Sequence, residues 1–248
     1  MASTSETGHA KNVANLDQLI SFVTGYGAIY NPSKAGIKLT ALQTLSTNAK
    51  NAINAVNTAL PAYSNAVAAR EVAFEPLKKL STRILNALKA TDTTTQVDDN
   101  ATTLVRKLQG KRATPKKTEE EKTIAKAEGT ETKEVSSSQL SYDSQIDSFD
   151  KLIKLLASVT LYAPNEAELK VTALTAILND LRAKNTAVIS ATTPLSNARI
   201  SRNVILYKEN TGLVDITVDT KTYIKSLYGA TSPQYKQVSK LEFKAVKA

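Results

Sequence analysis

The only histidine, His9, stands three residues after Glu6, and Glu-x-x-His is the spacing with which helical bundles hold carboxylate-bridged metal ions. That chemistry needs the pair on a bundle helix, whereas Met1-Ala-Ser-Thr-Ser-Glu-Thr-Gly-His-Ala10 is a polar stretch, so His9 is assigned to a flexible leader. Asp98-Asp99-Asn100 offers oxygen ligands but lacks the spacing and glycine of a calcium loop, and reads as a helix N-cap. Gly110-Lys111 has no glycine five residues upstream and is not a phosphate-cradling loop. Glu119, Glu120 and Glu121 read as a solvated run. There is no Cys, which closes thiolate nucleophiles and zinc-thiolate sites and removes disulfide evidence for an oxidising compartment. An enzyme would have to work with carboxylates, Lys, Tyr, Ser or Thr, and no constellation of these stands out. The sequence therefore gives no catalytic, cofactor-binding or metal-binding residue, no small-molecule substrate, and a non-enzymatic protein.

Three duplicated sets of residues carry more information. Arg70 and Arg202 fall on the apolar seam of a helix, where a charge must be partnered; a structural ion pair or a helix-end cap is expected, with a ligand or subunit contact as the alternative. Asn65 and Asn197, one to two turns earlier, are expected to hydrogen-bond inside a helical hairpin or to align neighbouring helices. Tyr30 and Tyr162 each precede a proline at a helix junction and are expected to be amphipathic plugs whose hydroxyls reach water.

These sets share one offset. Tyr30-Asn-Pro-Ser-Lys-Ala-Gly-Ile-Lys-Leu-Thr-Ala-Leu42 lies over Tyr162-Ala-Pro-Asn-Glu-Ala-Glu-Leu-Lys-Val-Thr-Ala-Leu174 at a shift of 132, and over residues 30–76 15 of 47 positions are identical. Upstream, Leu16-Asp-Gln-Leu-Ile20 matches Phe149-Asp-Lys-Leu-Ile153 with one residue slipped. An internal duplication follows, with a leader at 1–14, a first unit at 15–109, a charged solvated linker at 110–140 and a second unit at 141–248.

Within each unit the apolar period is helical. Asn15 is expected to cap a helix carrying Leu16, Leu19, Ile20 and Val23, with Gln18 completing a capping box. Pro32 is expected to open a second helix with the seam Leu42, Leu45, Ala49, Ala52, Val56 and Ala59, a coiled-coil rhythm of small residues. Pro61 is expected to start a third helix, kinked at Pro76, and a shorter one follows Asp98. The second unit repeats this from Ser148, Pro164 and Pro194, with a stop at Gly229 and a last helix capped by Ser232. Val214 to Val218 is the one β-branched stretch where a strand competes. The expected fold is all-α: two tandem homologous helical-bundle units, each with a long helical hairpin and two shorter helices.

The segments Gly8 to Pro32, Arg70-Glu-Val-Ala-Phe74, Thr93-Thr-Thr-Gln-Val-Asp-Asp99 and Lys225-Ser-Leu-Tyr-Gly-Ala-Thr-Ser-Pro-Gln-Tyr-Lys236 resemble an uncharacterised family of internally duplicated helical proteins from Bacteroidota. The resemblance implies a bacterial source and no activity, cofactor or site residue.

Lys and Arg number 32 against 23 Asp and Glu, a formal charge of +9. The excess is spread along the chain, with 11 cations against 7 acids in residues 1–109 and 14 against 10 in 140–248. Lys111, Arg112, Lys116 and Lys117, and Lys236, Lys240 and Lys244 near the C-terminal end, are the candidate polyanion contacts. The apolar stretches are too polar to span a bilayer and no Sec signal is apparent, so membrane association is not expected and the cytoplasm is the default, with export by another route left open. The functional expectation is a structural or interaction protein that uses helical faces to bind itself or another protein. The alternative is a basic protein associated non-specifically with nucleic acid.

Overall fold

Apolar and small residues spaced three and four apart build every regular element of the computed structural model, which describes residues 8–111, 123–124 and 140–245. Among the described residues the secondary structure is helical and contains no strand. In chain order the α-helices are α1 (His9–Gly25), α2 (Leu39–Phe74), α3 (Leu77–Lys89), α4 (Thr95–Gln109), α5 (Tyr142–Ser158), α6 (Val171–Tyr207), α7 (Leu213–Tyr228) and α8 (Pro233–Ser239). Val214 to Val218 lies inside α7, where the buried Ile216 and Ile224 set a helical period. Ser232 caps α8 by accepting from the Tyr235 N–H, with Pro233 in the first turn. No helix among the described residues is long and apolar enough to cross a membrane.

The long hairpins expected from Pro61 and Pro194 are single helices instead. α2 runs 36 residues through Pro61 and α6 runs 37 residues through Pro194. An interior proline loses one hydrogen bond and crowds a carbonyl, at about 3 kcal/mol. Both prolines are exposed, as are Asn57 and Ser190 four residues earlier, so water can take up the freed carbonyls. The seam meanwhile continues without a change of phase. Leu42, Ala49, Ala52 and Val56 are buried, Leu45, Ala59, Tyr63, Ala66 and Arg70 are half-buried, and Phe74 is buried again. Keeping that stripe in one helix outweighs one lost bond, and the chain breaks at Pro76. The second helix, α2, starts at Leu39 rather than Pro32 because a single 3-10 turn, Ala35–Ile37, intervenes; Ala167–Leu169 does the same before α6.

Two compact units divide the chain: Met1–Ser64 with Ala191–Ala248, and Asn65–Ser190. This grouping differs from the sequence segments 15–109 and 141–248, because both divisions fall inside a long helix. In the first unit, Leu16, Leu19 and Val23 of α1 pack with Leu42 and Ala49 of α2, Leu206 of α6, Leu213 and Ile224 of α7 and Val238 of α8. In the second, Phe74 of α2, Ile84 and Leu88 of α3 and Val105 and Leu108 of α4 meet Phe149, Leu152 and Leu156 of α5 and Leu174 and Leu181 of α6.

Several boundaries move relative to expectation. The leader does not extend to residue 14: α1 begins at His9, and Asn12 and Val13 are buried. Asn15 is therefore no cap but a buried residue within α1. Asp98 lies inside the first turn of α4, whose N-cap is Thr94, and accepts from the Thr93 hydroxyl at 2.9 Å. α5 starts before Ser148, capped by Ser141 on the Ser144 N–H. Of the charged stretch 110–140, the described residues are 110, 111, 123, 124 and 140. Gly110 closes α4 in the left-handed conformation, with the Leu140 side chain so close that a Cβ there would lie 2.7 Å from it.

Candidate functional site

α1 is held by the chain's C-terminal segment through buried amides. Asn12 Nδ2 donates to the Lys244 carbonyl at 2.8 Å and its Oδ1 accepts from the Lys244 N–H at 3.1 Å, while Asn15 Nδ2 donates to the Glu242 carbonyl at 2.7 Å. Asn12 Nδ2 also lies 3.5 Å from the Tyr207 hydroxyl, and these partners explain how two asparagines can be buried on a helix that reads as polar. On α7, Lys221 donates to the Leu241 carbonyl and lies over the Phe243 ring. Burial pushes its ammonium below the ordinary lysine value, with Glu242 opposing.

Arg70 sits in the Asn65–Ser190 unit. Its guanidinium carbon lies 3.9 Å from the centre of the Tyr142 ring, and Nη1 donates to Asn185 Oδ1 at 3.0 Å. Asn185 Nδ2 in turn donates to Asp143 Oδ1 at 2.8 Å, and Phe74 meets Tyr142 edge-on. The expected ion pair is thus replaced by an aromatic face and an amide that relays the charge to Asp143. Arg70 Nε is buried without a hydrogen-bond partner among the described residues.

Arg202 belongs to the other unit and is served differently. Nε and Nη2 both donate to Asn203 Oδ1, at 3.1 and 2.9 Å, and no carboxylate among the described residues forms an ion pair with it. It lines a cavity of about 630 Å³ together with Gly8, His9, Ala10, Lys11, Ala14, Ile53, Val56 and Asn57. His9, placed by the sequence in a leader, is a helix residue whose Nδ1 lies 2.6 Å from the Tyr207 hydroxyl. Burial, and then the neighbouring Arg202, push it below its ordinary value, so the ring is neutral at pH 7. Glu6, the other member of the Glu-x-x-His spacing, lies outside the described residues, among which no group of three or more His, Cys, Asp or Glu is placed to hold a metal ion.

The tyrosine pair is structural. Tyr30 and Tyr162 are buried, and their hydroxyls donate to the carbonyls of Ile37 at 2.6 Å and Leu169 at 2.9 Å, rather than reaching water. Each bond closes the loop that leads into a long helix. Burial drives the Tyr30 hydroxyl up to about 12, with Thr220 lowering and Tyr223 raising it. A phenol that ionises at higher pH folded than unfolded stabilises fully below the unfolded value near 10 and loses that contribution as pH rises through the folded value. The denaturant midpoint is therefore expected to fall between about pH 10 and 12, and Tyr30→Phe to flatten that fall while costing about 1 kcal/mol at neutral pH. Urea melts of both proteins across the alkaline range check this.

Asn65 and Asn197 are exposed and make no side-chain hydrogen bond among the described residues, so they do not tie a hairpin together. Asn65 shares an exposed face of α2 with Ala68 and Val72, and Asn197 shares one of α6 with Ile200 and Val204. Lys111, Lys236, Lys240 and Lys244 are exposed, and Lys244 pairs with Glu242 at 3.0 Å. Arg112, Lys116 and Lys117 lie outside the described residues. Sequence reasoning missed Tyr142, Asp143 and Asn185, and the available signal was that they stand where the two aligned sequence segments differ.

Comparison of the chain with protein-family models, with curated proteins and with solved structures returns no match.

Proposed function

We propose that this chain is a non-enzymatic helical protein that binds further copies of itself, or another protein, through exposed faces of its long helices. The observation that carries this is a pair of apolar stripes at matching positions. Val72 on α2 is 68% exposed, and Ile200 and Val204 on α6 are 59% and 49% exposed. Isolated exposed aliphatics are ordinary, but Val72 and Val204 stand 132 residues apart in the register of the repeat, each one turn from a small or apolar exposed neighbour. Ile29 and Leu161, 62% and 55% exposed, occupy another matching pair. Two similar surfaces on one chain suit a contact that propagates from copy to copy.

The duplication itself belongs to this proposal, in a form where the repeats share their halves: each compact unit takes the opening of one repeat and the close of the other. Three recurrences support it. The Tyr30 and Tyr162 closures match, the 3-10 turns at Ala35–Ile37 and Ala167–Leu169 match, and Asp17 with Lys50 at 2.8 Å is matched by Asp150 with Arg182 at 3.3 Å.

Nucleic-acid association is the alternative, favoured by one cluster. Gln109 Nε2 donates to Thr82 Oγ1 at 2.8 Å, which brings the last turn of α4 beside the start of α3. Lys78 and Lys79 of α3 and Arg106, Lys107 and Lys111 around the last turn of α4 are exposed, and none forms an ion pair among the described residues. Lys78 and Lys79 stand in a first helical turn, where acids are the stabilising charge.

Size-exclusion chromatography with light scattering separates these outcomes. The expected mass is a multiple of 26.7 kDa that grows with concentration, and Val72→Glu with Val204→Glu should return it to one chain. A single-chain mass at every concentration, unchanged in the variant, overturns self-association. Co-eluting nucleic acid that salt removes selects the alternative.

A further inference from the structure

Arg70 and Arg202 are the same residue at the same place in the repeat, with opposite surroundings, and each environment calibrates the other. Around Arg70 the unit supplies an aromatic face from Tyr142, an amide from Asn185 and, through it, the carboxylate of Asp143. In the first repeat, Asn185 corresponds to Ile53 at the shift of 132, and Tyr142 and Asp143 correspond to His9 and Ala10 in the slipped register. A phenol ring, an amide and a carboxylate have become an imidazole, an isobutyl-sized side chain and a methyl. Arg202, His9, Ala10 and Ile53 all line the 630 Å³ cavity. Among the described residues Arg202 has neither the aromatic face nor the amide-linked carboxylate that surround Arg70.

We propose that this cavity binds an organic anion, with a carboxylate or phosphate group against Arg202 and an apolar body against Ala14, Ile53 and Val56. The volume falls in the range of small-ligand sites, which are mostly apolar with a few polar groups that fix orientation. No acidic residue is among the described residues lining it. A guanidinium whose only hydrogen-bond partner among the described residues is a neutral amide has donors left for an oxyanion, and such charge-assisted bonds are the strong ones. Ile53 and Val56 supply what an inorganic ion would not use. This site is independent of the apolar stripes, so its failure leaves the assembly proposal standing.

His9 is the only histidine of the chain, so its ring signals in an NMR spectrum report the cavity without ambiguity. Titration of the full chain with octanoate, octyl phosphate, octanol and inorganic phosphate is the test. A saturable shift of the His9 signals with octanoate or octyl phosphate is expected, the stronger of the two identifying the headgroup. Arg202→Gln should weaken it by about ten- to a hundredfold, the worth of a charged hydrogen bond. Ala14→Phe, at an exposed position, should abolish the shift by filling the space, with circular dichroism confirming that both variants remain helical. An equal response to octanol removes the role of the charge, and an equal response to phosphate means an adventitious ion only; either result overturns the proposal. So does a shift with octanoate that survives both substitutions, or no shift with either amphiphile.

Discussion

A fragment carrying residues 65–190 is expected to fold cooperatively by itself, and a fragment carrying residues 15–109 is expected not to. The first contains the entire cluster from Phe74 to Leu181, with α3, α4 and α5 whole and the adjoining ends of α2 and α6. The second is the segment expected from the sequence as one unit, yet it holds most of α1 and α2 with half of one core and α3 and α4 with half of the other. Leu16, Leu19 and Leu42 would lack Leu206, Leu213 and Ile224. Phe74, Ile84 and Leu88 would lack Phe149, Leu152 and Leu181. Each leucine-sized side chain left in water forgoes about 1.5–3 kcal/mol, so several such losses exceed the 5–15 kcal/mol that holds a typical domain together. Thermal melts by circular dichroism check this: a sigmoidal transition for 65–190 and a broad, low-helicity trace for 15–109. The reverse result would mean that the segments expected from the sequence, not the observed compact units, are the folding units.

The helical class was legible because the three-and-four spacing of apolar residues runs through almost every segment. What proline punctuation hid was the length of α2 and α6. Reading Pro61 and Pro194 as starts gave weight to a local rule, while the burial of Val56 and then Phe74 on one continuous stripe shows that seam phase is the better guide. Asn12 and Asn15 misled for a different reason. Their polarity looks like a leader and a cap, and the backbone they bind lies more than two hundred residues away, where no local pattern reaches. Arg70 and Arg202 were found from the sequence, but Tyr142, Asp143 and Asn185 were not. Their interest lies in how they differ from His9, Ala10 and Ile53, and a search for identities passes over differences.

Phe149→Ala is expected to cost about 3–5 kcal/mol, the range for truncating a fully enclosed aromatic ring. Phe149 has no exposed surface and stands among Leu152, Leu156 and Leu174 of the same cluster. The surrounding helices can relax only partly into the space, so the penalty combines lost transfer free energy with a cavity. Leu16, its counterpart in the slipped register, is equally enclosed and should cost about 2–5 kcal/mol as Leu16→Ala. Urea titration of each variant gives the values, and a loss under about 1 kcal/mol at Phe149 would show the cluster to be looser than its burial implies.

The bonds from Asn12 and Asn15 to residues 242 and 244 also set an order of events during synthesis. The ribosome releases α1 well before its partners in α7, α8 and residues 242–244. At about 5–20 residues per second, the interval is on the order of ten seconds or more. The unit formed by residues 65–190 can close while the remainder is still being made. α1 and the opening of α2 must wait with Leu16, Leu19 and Val23 uncovered until residues some two hundred positions later have been made. Nascent chains stalled before α7 are the ones that would most need a chaperone.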